Sequence, residues 1–216
     1  MIKVLVADDH PVVRRGVMQI VDEEPDMKVA GEANNAVEVL REIRARKWDV
    51  VVLDIAMPGR SGLDVLAELK KERPDLPVLI LSMHSEDQFG LRVLRAGAAG
   101  YMTKETVPAE LVKAIRKVFS GKKYISSSLA ERLAYEVETR GDRPVHETLS
   151  DREFQVLQMI ASGKMLKEIA GELSLSIKTI STYRTRVLKK MNMSSNAELT
   201  IFAIDNQLVA PFSSRV

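Results

Sequence analysis

Five side chains suited to phosphorus chemistry punctuate the first half of this chain at or just beyond the ends of short apolar runs. Asp8 and Asp9 follow IKVLVA, Asp54 follows VVVL, Ser82 ends PVLILS, and Lys104 comes just after AGYM. Three carboxylates brought together repel one another and hold protons tightly unless a cation neutralises them. An all-oxygen ligand set suits a hard divalent ion such as magnesium, which accepts a phosphoryl oxygen as a further ligand. A carboxylate beside such an ion and a lysine can attack phosphorus in line, because both cations neutralise charge on the equatorial oxygens. Asp54 is the expected nucleophile: it ends the most apolar run and is followed by IAMPG, a turn that holds it in the open. Lys104 is expected to pair with the acyl phosphate and Ser82 to donate a hydrogen bond to it. Tyr101 is predicted to swing inward when Ser82 is drawn to the phosphoryl group, reshaping the face made by the fourth and fifth helices.

The elements that must position these groups are readable from periodicity. Strand-like runs at 2–7, 27–31, 49–54, 77–82 and 99–102 alternate with stretches whose apolar residues recur at three- and four-residue spacing. The pattern predicts five βα units, an α/β doubly wound five-stranded parallel sheet with functional residues gathered at the carboxyl ends of its strands. Near-continuous apolarity in the strands implies a sheet covered on both faces. Taken singly, each aspartate could be a helix cap, and the serine, lysine and tyrosine could be ordinary packing. The ordered set at strands one, three, four and five is what points to a site.

This first domain is expected to span 1–120, followed by a linker at 121–147 with one helix over 127–139. After Leu149 the strand signals stop, and 148–216 reads as an all-α four-helix domain. Ser150 with Glu153 three residues on has the capping-box pattern. Composition supports two soluble domains: 45% hydrophobic residues leave apolar side chains for a core in each half. Cysteine is absent, which removes disulfide, thiolate and cysteine-metal chemistry. No apolar run approaches the roughly 18 residues that span a bilayer, so a cytoplasmic protein without membrane attachment is expected.

The segment from Ile169 to Tyr183 has helix-turn-helix spacing. Ile169, Ala170 and Leu173 should pack inward, Ser174-Leu175 should turn the chain, Ser176 should cap the second helix and Ile180 should anchor it. The stripe Ile177, Ile180, Val187, Leu188 and Met191 is expected to face the core. The opposite face carries Lys178, Thr179, Ser181, Thr182, Thr185, Arg186 and Lys189, with Lys167 on the preceding helix, a surface suited to phosphates and base edges. Residues 178–190 hold five basic residues and no acidic one. A solvated basic helix is the plain alternative for this stripe; its place as second helix in the spacing favours double-stranded DNA.

Two resemblances cover nearly the whole chain. VADDHPVVRRG, VVLDIAMPG, LILSMH and AGAAGYMTKE resemble the receiver domain of two-component response regulators, which is flavodoxin-like. LSDREFQVLQMIASG, KEIAGEL and SIKTISTYRTRVLKKM resemble the LuxR-type domain of the NarL/FixJ class, with MLKEIA in place of the frequent TNKEIA and Tyr183 where histidine is common. The first resemblance implies that Asp8, Asp9, Asp54 and the backbone carbonyl of Ala56 hold Mg2+. It also implies that Asp54 takes phosphate from a sensor histidine kinase, that Ser82 and Tyr101 form a switch pair, and that Lys104 binds the phosphoryl group. Glu105 stands where many receivers have proline, so no cis-proline strain is carried over. The second resemblance implies promoter binding as a homodimer when phosphorylated, with RNA polymerase as a further partner. The last helix, through Leu199 and Phe202, is the expected dimerisation element, although its apolar residues would equally serve a core.

Three other readings compete. A phosphatase using an aspartyl nucleophile has a second carboxylate two residues on, where Ala56 stands here. A dinucleotide or flavin binder needs a Gly-rich loop after strand one, where Asp9-His10-Pro11 stands. A helix-turn-helix that contacts protein or RNA is separated from one on duplex DNA by the salt dependence of DNA binding.

Overall fold

The computed structural model describes residues 1–57, 60–83, 86–105, 108–138, 145–206 and 208–209. The chain divides into two compact units, Met1–Val137 and Glu138–Val216, and each is considered by itself. Among the described residues no helix is long and apolar enough to cross a membrane.

In the first unit, strands β1 (Ile2–Ala7), β2 (Met27–Ala33), β3 (Val50–Leu53), β4 (Val78–Ser82) and β5 (Gly100–Thr103) form one parallel sheet in the order β2-β1-β3-β4-β5. Helices α1 (Pro11–Asp22), α2 (Ala36–Ala45), α3 (Gly62–Glu72) and α4 (Glu86–Arg95) make the crossovers, and α5 (Pro108–Phe119) follows β5. The strands are apolar on both sides because both sides are covered: β3 and β4 are buried at every residue. Val4, Val6, Val50 and Val52 form one core layer with Leu111, Ile115 and Val118 of α5 and Val17 and Val21 of α1.

Part of the stretch read from sequence as linker is built onto this sheet. Tyr124 makes an isolated parallel bridge to Gly100, its N–H donating to Ala99 O at 2.9 Å and its carbonyl accepting from Tyr101 N at 3.2 Å. Only glycine allows this approach, since a Cβ at Gly100 would lie 2.6 Å from Tyr124 O. Helix α6 (Ser127–Glu138) follows. Ser126 Oγ accepts from Leu129 N at the start of α6 and donates to the Glu86 carboxylate at the start of α4, and Leu129 packs over Gly90. The sequence reading missed this because a single bridging residue leaves no alternating pattern. Residues 139–144 of the expected linker lie outside the described residues.

In the second unit a 3-10 turn (Val145–Thr148) leads into α7 (Asp151–Ala161), α8 (Leu166–Glu172), α9 (Ile177–Met191) and α10 (Asn196–Asp205). Ser150 caps α7 in a full capping box with Glu153. Phe154, Val156, Leu157, Ile169, Ile180, Val187, Leu199 and Ala203 are almost fully buried. Burial of Leu199 assigns it to this core, against its expected place on a dimer surface; Phe202 is half-buried and packs edge-on against His146. Ile177, expected in the core, is 51% exposed, because the first residue of α9 projects before the helix meets its neighbours.

Candidate functional site

Asp8 leaves the end of β1 and Asp54 follows β3, the two central neighbours of the sheet, so both carboxylates reach the same edge. Backbone bonds pin them: Asp54 N donates to Ala7 O at 2.8 Å and Asp8 N to Ala33 O at 3.1 Å. Arg14 on α1 holds the Asp8 carbonyl at 2.7 Å. The turn after Asp54 is anchored by buried Ile55 and Met57 and closed by Gly62, whose N–H donates to Ile55 O at 3.1 Å. A Cβ on Gly62 would fall 2.2 Å from Asp54 O, so the first residue of α3 has to be glycine for the turn to close.

Lys104, just beyond β5, reaches both acids, with Nζ 2.6 Å from Asp8 Oδ2 and 2.7 Å from Asp54 Oδ2. All three side chains are 5% exposed or less. Burial pushes the Asp54 carboxyl above its ordinary range despite the pull of Lys104. For Lys104, burial works against the charge, but the Asp54 and Asp8 carboxylates outweigh it and hold the ammonium above its ordinary value. Asp54 Oδ1 accepts from Ala56 N at 3.0 Å.

Asp8, Asp9, His10 and Asp54 each offer a ligand atom within 4.8 Å of the others. Asp8 Oδ2 and Asp9 Oδ1 are buried without an aligned hydrogen-bond donor, although Lys104 and His10 Nδ1 stand at ion-pair distance, 2.6 and 2.9 Å. An acidic pocket with under-satisfied oxygens fits a divalent cation. His10 and Gly62 were not singled out from sequence. His10 follows the two aspartates directly, and Gly62 marks the start of an apolar-periodic segment, but neither signal is specific.

Ser82 is fully buried at the end of β4, and Tyr101 on β5 is 2% exposed with its phenol hydrogen-bonded to the Ser82 side chain. Burial raises the phenol's pKa, the Ser82 bond opposing it. The ring already holds the inward position that the sequence reading linked to phosphorylation.

In the second unit, Ile169, Ala170 and Leu173 are buried as the helix-turn-helix spacing requires. The turn is made by Ser174 at φ 52°, and Ser176 Oγ accepts from Thr179 N at 3.1 Å to cap α9. Lys167, Lys178, Ser181, Thr182, Thr185, Arg186 and Lys189 are exposed and Thr179 is half-buried. Two other cations of α9 are engaged inside the unit, Arg184 with Asn196 Oδ1 at 2.6 Å and Lys190 with Glu153 Oε2 at 2.6 Å.

A buried carboxylate-lysine site at the carboxyl edge of a doubly wound sheet, followed by a separate unit with a helix-turn-helix, is the arrangement of a receiver domain joined to a nucleic-acid-binding domain. Comparison with known proteins agrees. Residues 4–116 match the model of the response regulator receiver domain and residues 147–203 that of the luxR family of bacterial regulatory proteins. Response regulator GacA of Pseudomonas aeruginosa is 40% identical over 211 residues, covering 97% of this chain and 98% of that one. Response regulator UvrY of Escherichia coli (strain K12) is 38% identical over 209 residues, 96% of each. A structure of the RcsB response regulator of Salmonella typhimurium superposes with a TM-score of 0.65 at 26% identity, covering 93% and 96% of the two chains. RcsB bound to promoter P1flhDC in the presence of the phosphomimetic BeF3- gives 0.59 at 27% identity, covering 93% and 97%. The chain belongs to the NarL/FixJ class of response regulators, DNA-binding transcription regulators with a receiver domain and a LuxR-type helix-turn-helix.

Proposed function

We propose that Asp54 is the phosphoryl acceptor of this regulator, supplied by a sensor histidine kinase, and that its modification controls dimerisation and promoter binding. The observation that carries the reading is the placement of Asp54 Oδ2 2.7 Å from Lys104 Nζ within a cluster that also contains Asp8 and Asp9. Asp8, Asp9, Asp54 and the Ala56 carbonyl would hold Mg2+, which when bound supplies charge neutralisation at the phosphoryl oxygens. Asp54 donates an electron pair from a carboxylate oxygen to phosphorus, and the P–N bond to the kinase histidine breaks. Lys104 then turns from the carboxylate to a phosphoryl oxygen, a charge-assisted bond it is already close enough to make. Ser82 exchanges Tyr101 for the phosphoryl group, and the loss of that bond is what Tyr101 and the α4-β5 face register.

The second unit contributes α9 to the major groove of duplex DNA, with exposed Lys178, Arg186, Lys189 and Lys167 on phosphates. Two copies joined through α10 would address paired half-sites, and RNA polymerase is the further partner of such a regulator. The test is label uptake from radiolabelled acetyl phosphate with Mg2+, followed by duplex selection from a random pool. Wild type should take up label and enrich a two-fold site more strongly when phosphorylated. Full labelling of Asp54→Ala overturns the acceptor assignment, and binding that ignores ionic strength overturns the DNA reading.

A further inference from the structure

The outward surface of α9 is richer in methyl groups than its threonines suggest. Thr182 Oγ1 donates to Lys178 O and Thr185 Oγ1 to Ser181 O, each at 3.0 Å, and Thr179 Oγ1 shares a 2.8 Å hydrogen bond with Ser176 Oγ. A hydroxyl bonded back to the preceding turn has its proton directed into the helix, so the group Thr182 and Thr185 offer outward is the γ-methyl. Both are exposed, and Ile177 at the N-terminal end of the same helix is 51% exposed although wholly apolar.

The cations are arranged around these groups. Lys178 and Lys189 stand one turn before Thr182 and one turn after Thr185, with Arg186 beside them. The side chains of all three are exposed and make no hydrogen bond or ion pair among the described residues. Arg184, the second guanidinium of the helix, donates to Asn196 Oδ1 and is not left free for the fork geometry that reads guanine. The helix therefore presents the exposed cations Lys178, Arg186 and Lys189 around a middle made of methyl groups and the Ser181 hydroxyl.

We infer that α9 selects its sites through thymine 5-methyl groups, packed in the major groove against the γ-methyls of Thr182 and Thr185 and the side chain of Ile177. Lys178, Lys189 and Arg186 hold the flanking phosphates. The thymine methyl is the only apolar group on a base edge in that groove, and burying one methyl pair changes affinity about three- to fivefold. This rests on the reading of α9 as the recognition helix.

The experiment uses the full chain, phosphorylated with acetyl phosphate and Mg2+, and the duplex it selects from a random pool. Each thymidine of that duplex is replaced in turn by deoxyuridine, which deletes only the methyl. Thr182→Ser, Thr185→Ser and Ile177→Ala are the protein variants; the serines keep the back-bonded hydroxyl and lose the methyl, and circular dichroism establishes that they are folded. Wild type should lose about three- to fivefold in affinity at one or more thymidines. The variant that lacks the facing methyl should lose as much on the parent duplex and nothing more on the deoxyuridine duplex. Deoxyuridine without effect on wild type, losses that simply multiply, or a selected site whose contacted steps are all G·C overturn the inference while leaving DNA binding standing. If no duplex is enriched, the DNA reading falls and this inference with it.

Discussion

Lys104 Nζ lies 2.7 Å from Asp54 Oδ2 while the same ammonium is approached by Asp8 at 2.6 Å. One buried cation thus serves two buried anions, and burial has already pushed the Asp54 carboxyl upward. Removing the surplus charge should stabilise the fold, as loss of a strained functional group commonly does. Asp54→Asn is expected to gain about 1 kcal/mol in EDTA and to lose most of the extra stability that Mg2+ confers on wild type. Thermal unfolding of the first unit with EDTA and with Mg2+ measures both; an Asn variant less stable than wild type in EDTA contradicts the charge argument.

Lys104→Ala makes the opposite change. It leaves Asp8 and Asp54 buried without their cation, a defect that costs about 3 kcal/mol. Mg2+ should recover more stability in this variant than in wild type, because the ion replaces the missing charge. Denaturant unfolding at several Mg2+ concentrations reads the difference.

Gly62 tests whether the turn, and not only the side chains on it, makes the site. An added Cβ would meet Asp54 O and the Ile55 Cα, both backbone atoms that cannot swing aside. Gly62→Ala should therefore displace Asp54 and cut label uptake from acetyl phosphate at least tenfold, with the second unit's unfolding transition unchanged. Equal uptake by the variant would mean that the turn tolerates displacement.

The strand-end residues were readable because each sits where an apolar run stops, and the sheet order then makes β1 and β3 neighbours. What sequence left out depends on distances between backbones. Nothing local distinguishes Gly62 or Gly100 from a glycine in any turn until Asp54 O and Tyr124 O are placed beside them. The helix-turn-helix was visible for the same reason as the strands, since Ile169, Leu173 and Ile180 follow helical periodicity into a core. Ile177 shares their type and spacing but starts its helix, and periodicity carries no information about where a helix first meets its neighbours.

Glu153 gives the second unit a pH dependence. Burial disfavours its charge, but Lys190, together with hydrogen bonds from Ser150, more than offsets that and holds the carboxyl below its ordinary range. A carboxyl depressed in the folded state stabilises at pH above its unfolded pKa of about 4.3, and that stability is lost as pH falls through the folded value. Wild type should lose stability between pH 6 and about pH 3 more steeply than Glu153→Gln, the two converging at the acid end. Calorimetry of the second unit's transition in the full chain gives the slopes; parallel curves would remove Glu153 from the account.

Helix α10 separates core from surface within one turn. Leu199 is fully buried, whereas Ile201 two residues on is 61% exposed. If α10 joins two copies, the contact has to run through the exposed side, so Ile201 and the half-buried Phe202 are the groups available and Leu199 is not. Ile201→Glu should then leave the second unit's melting temperature within a few degrees of wild type. It should weaken binding to a duplex with two half-sites at least tenfold, and binding to a single half-site little. Leu199→Ala, which opens a cavity, should destabilise the unit by about 3 kcal/mol and weaken both duplexes alike. Analytical ultracentrifugation of phosphorylated protein supplies the second reading: a dimer that survives Ile201→Glu places the interface elsewhere on the chain.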